Sequence, residues 1–145
     1  MADFLLRPAS ESDSSSIKDL IHRVGINPID LDWRRFVLVV DGSRKMVGCG
    51  QLKPHGKDVI ELASIAVEPS HQHQGIARVI IEYLIAQGPR PLYLTCRSRL
   101  GSFYEKWGFR SIEPAEMPAY FRRLSRLVNA MAAFMNDKML VMKLM

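Results

Sequence analysis

The chain has 145 residues, of which 48% are hydrophobic and 24% are charged, so its size and composition are those of an ordinary folded domain. We expect one domain over residues 1–145, and no window reaches the roughly 18 apolar residues that a membrane span needs. The net charge of +5 favours contact with anions without distinguishing nucleic acid, lipid and phosphorylated cofactors.

The N-terminus lacks the basic and apolar regions of a secretory signal, so we expect a cytoplasmic protein that does not bind membranes. Cys49 and Cys96 lie in apolar, strand-like runs rather than at C-x-x-C spacing, which favours buried reduced thiols over a metal or redox site. The basic residues are scattered along the chain, which disfavours a nucleic-acid-binding tail.

The first half of the chain predicts a strand, a helix and three antiparallel strands. A strand over 4–7 precedes a serine-rich helix start at 10–16, and the helix runs to Val24 because apolar residues recur there at helical spacing. The β-branched run 36–40 pairs across Asp41, Gly42 and Ser43 with 46–52 as a hairpin. A third strand over 58–67 ends before Pro69.

The second half predicts three helices and three strands. A helix starting near residue 76 and ending at 88–89 carries one apolar face, followed by a strand over 91–96, a short helix over 102–107 and a brief strand over 109–112. An amphipathic helix from Pro118 to Met135 then precedes a closing strand over 139–144. The apolar face of the first helix consists of Ile76, Val79, Ile80, Tyr83 and Leu84, and that of the last consists of Tyr120, Leu124, Leu127, Val128, Met131, Phe134 and Met135. This order predicts an α+β fold with a mixed central sheet.

The segment from Gln72 to Ala77, directly after the strand 62–67, carries the strongest functional signal. Gly75 lets the backbone pass close to a ligand, and the unpaired N–H groups of the helix start suit a pyrophosphate. The segment resembles motif A of the GCN5-related N-acetyltransferase (GNAT) superfamily, Q/R-x-x-G-x-G/A after an IAVEP strand. Residues 103–109, FYEKWGF, look like the family's fYeklGF segment. The two motifs cover roughly residues 60–112.

The resemblance implies a GNAT fold, a central mixed and mostly antiparallel sheet flanked by helices, here with an extra amphipathic helix before the last strand. It also implies acetyl-CoA as co-substrate, without a metal. In the family, the strand backbone binds the pantetheine arm and main-chain N–H groups of the turn bind the pyrophosphate. The matching residues here are Ile65, Ala66 and Val67 in the strand, and Gln72, His73, Gln74, Gly75, Ile76, Ala77 and Arg78 in the turn. Arg78 adds a charge contact to phosphate or is a solvated helix residue.

Chemistry in this family is direct attack of an amine on the thioester, which calls for a base and an acid. Tyr104 matches the tyrosine that protonates the CoA sulfur in many relatives, or it only packs on the cofactor and core. Glu61 matches the general-base glutamate of the histone acetyltransferase branch, or it is a solvated or salt-bridged carboxylate. Other relatives place an acid on the next strand, where this chain has Thr95. The base is therefore Glu61, a histidine such as His71 or His73, or water.

The predicted function is acetyl-CoA-dependent transfer of an acetyl group to a primary amine in a ternary complex. The acceptor is expected between the loop over 24–35, with Asn27, Asp30, Asp32 and Trp33, and the segment over 113–137 before the last strand. The alternatives are a non-catalytic acyl-CoA-binding module and, less favoured, a nucleic-acid-binding domain. The sequence does not identify the acceptor amine, the acyl-chain preference or the role of the last helix. It also does not distinguish a monomer from a homodimer.

Overall fold

The computed structural model describes residues 3–132 and 138–145, and its contacts divide the chain into two compact units. Unit 1 comprises Met1–Lys53 and Leu62–Gly88, and unit 2 comprises Pro54–Glu61 and Pro89–Met145. Each unit is described by itself below. The single domain expected over 1–145 stays a prediction.

Within the described residues, seven strands are hydrogen-bonded in the order β1-β2-β3-β4-β5-β7-β6. The described pairs are antiparallel except for β4 with β5. The strands are β1 (Leu5–Pro8), β2 (Phe36–Val40), β3 (Met46–Pro54), β4 (Ile60–Val67), β5 (Leu92–Arg97), β6 (Arg110–Ser111) and β7 (Met139–Leu144), and the helices are α1 (Ser14–Val24), α2 (Ile76–Gln87), α3 (Gly101–Glu105) and α4 (Ala119–Ala132). The predicted α+β fold, with a mixed, mostly antiparallel sheet and a helix before the last strand, is confirmed.

The β2–β3 hairpin forms the centre of unit 1. All five residues of β2 are buried, as expected for a β-branched run in the interior of a sheet. The Asp41 carboxylate closes the turn by accepting hydrogen bonds from the backbone N–H groups of Ser43 and Lys45, at 2.9 and 3.0 Å. The connection between the strands therefore has five residues, Asp41 to Lys45, two more than the predicted Asp41-Gly42-Ser43, and β3 starts at Met46 as predicted.

Helix α1 packs its apolar face onto this hairpin. Ile17, Leu20 and Ile21 are at most 1% exposed, and they form a cluster with Phe36 and Leu38. The spacing of three and four residues puts these side chains on one stripe of the helix. Burial of that stripe fixes α1 against the sheet, as the sequence pattern predicted.

The buried face of α2 differs from the predicted one. Val79 and Tyr83 are 50% and 40% exposed, whereas Ile81, which the prediction omitted, is fully buried. The stripe that faces the sheet is Ile76, Ile80, Ile81 and Leu84. Because nine of the twelve residues of α2 are apolar, periodicity alone could not select the buried face, which is determined by packing against the sheet.

Two glycines of β3 let α2 approach the strand closely. A Cβ atom at Gly50 would lie 2.7 Å from side-chain carbons of both Ile65 and Ile80, and one at Gly48 would lie 2.8 Å from Ile76. Carbon atoms in proteins do not approach so closely without displacement of their neighbours. The small residues on β3 therefore set the spacing between α2 and the sheet.

Gly50→Ala is expected to lower the free energy of unfolding by about 1 to 3 kcal/mol, because an added methyl group overpacks a filled core. Urea denaturation followed by circular dichroism measures this change. The matched control is Gly42→Ala, because a Cβ atom at Gly42 meets no atom within 4 Å. Equal stability of the two variants would contradict the tight packing of α2 on β3.

In unit 2, β7 lies between β5 and β6 and holds them together. Leu92 of β5 lies opposite Leu144 of β7, and Arg110 of β6 lies opposite Lys143. The start of β4 joins the same unit through the parallel pair of Glu61 with Tyr93. Glu61 is thus placed on a buried strand next to β5.

The buried face of α4 overlaps only in part with the predicted one, of which Tyr120, Leu124 and Val128 are half-buried. Leu127 and Met131 are 64% and 66% exposed, whereas Phe121 is fully buried and Ser125 is 7% exposed. Phe121 packs with Tyr93 and other residues of unit 2. Residues 133–137, where the prediction continued the helix to Met135, lie outside the described residues.

No helix in the part of the chain that the structure describes is long and apolar enough to cross a membrane.

Candidate active site

The turn before α2 has the backbone shape that an anion-binding helix start requires. Gly75 is the residue before the helix and has φ of 83°, and His73 also has a positive φ of 66°. Glycine adopts this left-handed conformation without the steric cost that other residues pay. Since the first N–H groups of a helix have no acceptor within it, those of Ile76, Ala77 and Arg78 are available to a ligand.

The side chains of this turn point mainly into solvent. Gln72, His73, Gln74 and Arg78 are all exposed, whereas Ile76 is buried under the helix. The Arg78 guanidinium pairs with Glu82 one turn later, with 3.0 Å between Nε and Oε1. An exposed pair of this kind is weak, so it leaves the guanidinium able to exchange partners.

The strand that precedes the turn has an irregular backbone. Ser64 has φ of 60° and is buried, and its Oγ accepts a hydrogen bond from Gln51 Nε2 at 2.9 Å. Ala66 is buried, while Ile65 and Val67 on either side are half-buried. The predicted pantetheine-binding residues thus follow directly on a local distortion of β4.

Glu61 lies in a buried hydrogen-bonded pair with His55. Glu61 Oε1 lies 2.7 Å from His55 Nε2, and the two side chains are only 10% and 9% exposed. The other carboxylate oxygen, Oε2, accepts a longer contact of 3.4 Å from Thr95 Oγ1. Thr95, at the position where other relatives carry an acid, therefore contacts the Glu61 carboxylate.

Aromatic rings hold the His55 imidazole in one orientation. Its ring stacks on Tyr120 with centroids 3.7 Å apart and an interplanar angle of 17°. Phe121 meets the imidazole edge to face at 5.5 Å. The β3–β4 turn is closed by a hydrogen bond from the His55 N–H to the Val59 carbonyl, so both backbone and ring are fixed.

Sequence reasoning did not assign a role to His55. The residue lies in a turn, and only the pairing of Glu61 with it shows that the turn folds back over the start of β4. The available signal was the spacing of six residues between an imidazole and a carboxylate across a short turn. That signal is weak, because many turns contain histidines without a partner.

A cavity of about 420 Å³ opens beside this pair. Its lining includes His55 and Val59 from the β3–β4 turn, and Tyr120 and Arg123 from α4. One wall is therefore aromatic, and it also holds a cationic guanidinium. The segment before the last strand, which was expected to contact the acceptor, contributes four of the seven lining residues.

Tyr104 lies among other aromatic residues of unit 2. Phe103 and Phe109 meet its ring edge to face at 5.1 and 6.2 Å. Burial raises the pKa of the Tyr104 hydroxyl to about 12, and the nearby Cys96 thiol adds to the increase. The phenol is therefore fully protonated at neutral pH.

The acidic residues of the 24–35 loop are engaged in unit 1. Asp30 and Asp32 both lie near the Arg35 guanidinium, at 3.0 and 3.8 Å. Arg34 lies over the Trp33 ring at 5.0 Å. These local partners neutralise part of the charge that was expected to hold a cationic amine.

The histidines near the phosphate turn are arranged differently from His55. His71 Nδ1 lies 2.9 Å from Ser70 Oγ, and its ring meets Phe4 edge to face at 6.3 Å.

Among residues 3–132 and 138–145, no group of three His, Cys, Asp or Glu side chains is placed to hold a metal ion.

A family model for the acetyltransferase (GNAT) domain matches residues 32–111. The match covers more than half of the chain and includes both β4 and the turn before α2. The chain belongs to the GNAT acetyltransferase family. The resemblance seen in the two sequence motifs is thereby confirmed.

Solved structures of other GNAT proteins share the fold. Rv2747 from Mycobacterium tuberculosis, in complex with CoA and NLQ, is 22% identical with a TM-score of 0.77, and the match covers 97% of this chain and 98% of that one. N-acetylglutamate synthase from Neisseria gonorrhoeae, complexed with coenzyme A and N-acetyl-glutamate, is 21% identical with a TM-score of 0.72. This match covers all of the present chain but only 36% of the synthase chain. The GNAT chain described here therefore spans about a third of the synthase's length.

A third relative acts on a protein. The ribosomal-protein-S18-alanine N-acetyltransferase from Escherichia coli is 17% identical with a TM-score of 0.66, and the match covers 98% of this chain and 93% of that chain. At these identities, likeness establishes the fold alone. The names of the synthase and of the ribosomal-protein acetyltransferase point to different acceptors, so the fold does not select an acceptor.

Proposed function

We propose that this GNAT protein is an acetyl-CoA-dependent N-acetyltransferase that moves an acetyl group to a primary amine by direct attack in a ternary complex. The observation that carries the proposal is the buried pair of Glu61 and His55 beside a cavity. Burying an ionisable pair costs free energy of desolvation, and a side-chain base that is hydrogen-bonded to an orienting group beside a pocket is one mark of a catalytic site. In the alternative, a non-catalytic acyl-CoA-binding module, the pair would serve only as a structural contact.

The chain's own backbone supplies the groups that acetyl-CoA needs. The free N–H groups at the start of α2 suit the pyrophosphate, and the exposed Arg78 guanidinium lies within the same helical turn. The backbone of Ile65, Ala66 and Val67 would pair with the pantetheine arm, as in the family. No metal is required, because the amine nitrogen itself attacks the thioester.

The reaction needs one group that accepts the proton of the amine and another that stabilises the departing thiolate. The Glu61 and His55 pair takes the proton that the attacking amine loses. Tyr104 acts on the departing sulfur, where its protonated hydroxyl donates a hydrogen bond to the thiolate. Complete transfer of the phenol proton to sulfur would be uphill, since a thiol with an ordinary pKa of about 8.5 is the stronger acid.

The cavity beside His55 is the proposed binding place of the acceptor amine. Its aromatic wall and the Arg123 guanidinium suit an amine whose other end bears a carboxylate. A suitable panel therefore includes L-glutamate, L-glutamine and L-arginine, with spermidine and an alanine-initiated peptide as contrasting acceptors.

Purified protein mixed with acetyl-CoA and each amine is expected to release CoA thiol with one acceptor class and not with the others. The thiol is measured with a chromogenic disulfide, and calorimetry measures acetyl-CoA binding separately. Tight acetyl-CoA binding without thiol release from any of these amines would favour the non-catalytic module. Absence of both binding and release would reject the proposal.

A further inference from the structure

We propose that the His55 imidazole takes the proton from the acceptor amine, and that Glu61 is the positioning residue that orients it. The inference rests on the proposed N-acetyltransferase function and assigns the base to one atom. The assignment depends on which residue of the His55 and Glu61 pair lines the cavity. His55 and Tyr120 line the cavity, whereas Glu61 is not among its lining residues.

The contacts of Glu61 leave it poorly suited to accept a substrate proton. Its Oε1 is engaged with His55 Nε2 at 2.7 Å, and its Oε2 faces Thr95 Oγ1 at 3.4 Å. The two side chains are almost equally buried, with 10% of Glu61 and 9% of His55 exposed, so the difference between them is that only His55 lines the cavity.

The same hydrogen bond selects the tautomer of the imidazole. An ionised carboxylate can only accept hydrogen bonds, so His55 Nε2 must carry the hydrogen that Glu61 Oε1 accepts. In the neutral ring, Nδ1 is then left with the lone pair that can bind a proton. A carboxylate behind an imidazole also stabilises the imidazolium that forms when the ring is protonated.

Packing preserves this arrangement during turnover. The ring is stacked on Tyr120 and bordered by Phe121, so rotation about its side-chain bonds would disrupt both contacts. A base held in one orientation loses little entropy when the amine arrives. The aromatic residues of α4 therefore orient His55 together with Glu61.

The proton and electron balance is complete with this base. The acceptor enters as an ammonium group, and His55 Nδ1 takes one of its protons. The freed nitrogen lone pair forms the N–C bond with the thioester carbonyl carbon, and the C–S bond breaks with its electron pair remaining on sulfur. The second proton lost from nitrogen neutralises the thiolate, giving the acetylated amine and CoA thiol.

Four variants separate the roles of the two residues. His55→Ala is expected to lower kcat at least a hundredfold, and free imidazole added to the assay is expected to restore part of the activity. Glu61→Gln loses the charge that stabilises the imidazolium, and its amide N–H can impose the opposite tautomer on His55, so its kcat is expected to fall at least a hundredfold, as is that of Glu61→Ala. His22→Ala, which removes an exposed histidine of α1, is the control and is expected to leave kcat unchanged.

Retained activity of His55→Ala would overturn the inference. If both Glu61 variants lose kcat while His55→Ala stays within tenfold of the wild type, Glu61 itself is the base. Failure of imidazole to restore any activity to a folded His55→Ala variant would also reject a proton-transfer role for the ring.

A measurement that does not depend on turnover separates this inference from the proposed function. Nitrogen NMR of histidine-labelled wild-type protein at neutral pH is expected to show His55 with its hydrogen on Nε2. A hydrogen on Nδ1 alone would overturn the arrangement. If the wild type shows the expected tautomer but acetylates no amine, the proposed function fails and the base assignment is rejected with it, while the buried pair is retained as a structural feature.

Discussion

Tyr104→Phe is expected to lower kcat for acetyl transfer by about ten- to a hundredfold while leaving the KM for acetyl-CoA within about twofold. Removing one preorganised donor to a developing oxyanion costs a hundred- to a thousandfold, and a thiolate, which accepts hydrogen bonds more weakly, is expected to lose less. The ring of the variant still fits between Phe103 and Phe109, which contact Tyr104 edge to face. Steady-state thiol release at saturating acceptor measures kcat.

The raised pKa of Tyr104 also predicts how the effect of the substitution on kcat varies with pH. Because burial raises the pKa to about 12, the phenol stays protonated throughout an assay range of pH 6 to 9, and its ionisation produces no change in rate there. The ratio of wild-type to variant kcat is therefore expected to be constant with pH. Tyr83→Phe, at a 40% exposed tyrosine of α2, is the control. A kcat for Tyr104→Phe within twofold of the wild type would leave Tyr104 as a packing residue.

Phe121→Ala is expected to lower the free energy of unfolding by about 3 to 5 kcal/mol, the usual cost of removing a fully buried aromatic side chain. Phe121 is fully buried, and its ring lies 5.4 Å from that of Tyr93 and 5.5 Å from that of His55. The substitution therefore opens a cavity beneath the proposed base. Urea denaturation monitored by circular dichroism measures the change.

Leu127→Ala on the same helix is the matched control for Phe121. Leu127 is 64% exposed, so its truncation is expected to change stability by no more than about 0.5 kcal/mol. A cost for Leu127→Ala equal to that of Phe121→Ala would mean that the face predicted from the sequence is the buried one. The pair of variants thus tests which side of α4 contacts the sheet.

The order of helices and strands was determined by the sequence, because each element carries a local signal. The β-branched run of β2, the spacing of Ile17, Leu20 and Ile21 in α1, and the turn around Gly75 depend on near neighbours in the chain. The family was accessible for the same reason, since both of its motifs are contiguous segments. Gly75 adopts the positive φ that the turn requires because glycine has no Cβ atom.

The buried faces of α2 and α4 were decided only by the tertiary structure. In α2, apolar residues lie on more than one side, so periodicity alone does not select the face. In α4, Leu124 and Val128 of the predicted face are half-buried, and the buried face is turned from it towards Phe121. Val79 and Leu127 fitted the apolar pattern but are exposed, whereas Ile81 and Phe121 are buried. Which side turns inward depends on the surface that the sheet offers, and that surface is made of residues distant in sequence.

The chemical environment of Glu61 also required the tertiary structure. The sequence indicated Glu61 as a candidate through its position at the start of β4, but it did not indicate that His55 is hydrogen-bonded to the carboxylate. His55 reaches Glu61 because the β3–β4 turn folds back, Thr95 comes from a neighbouring strand, and Tyr120 comes from a helix 59 residues later in the sequence. A local sequence pattern can identify one titratable residue as a candidate. Its capacity to transfer a proton depends on hydrogen bonds with segments that are distant in sequence.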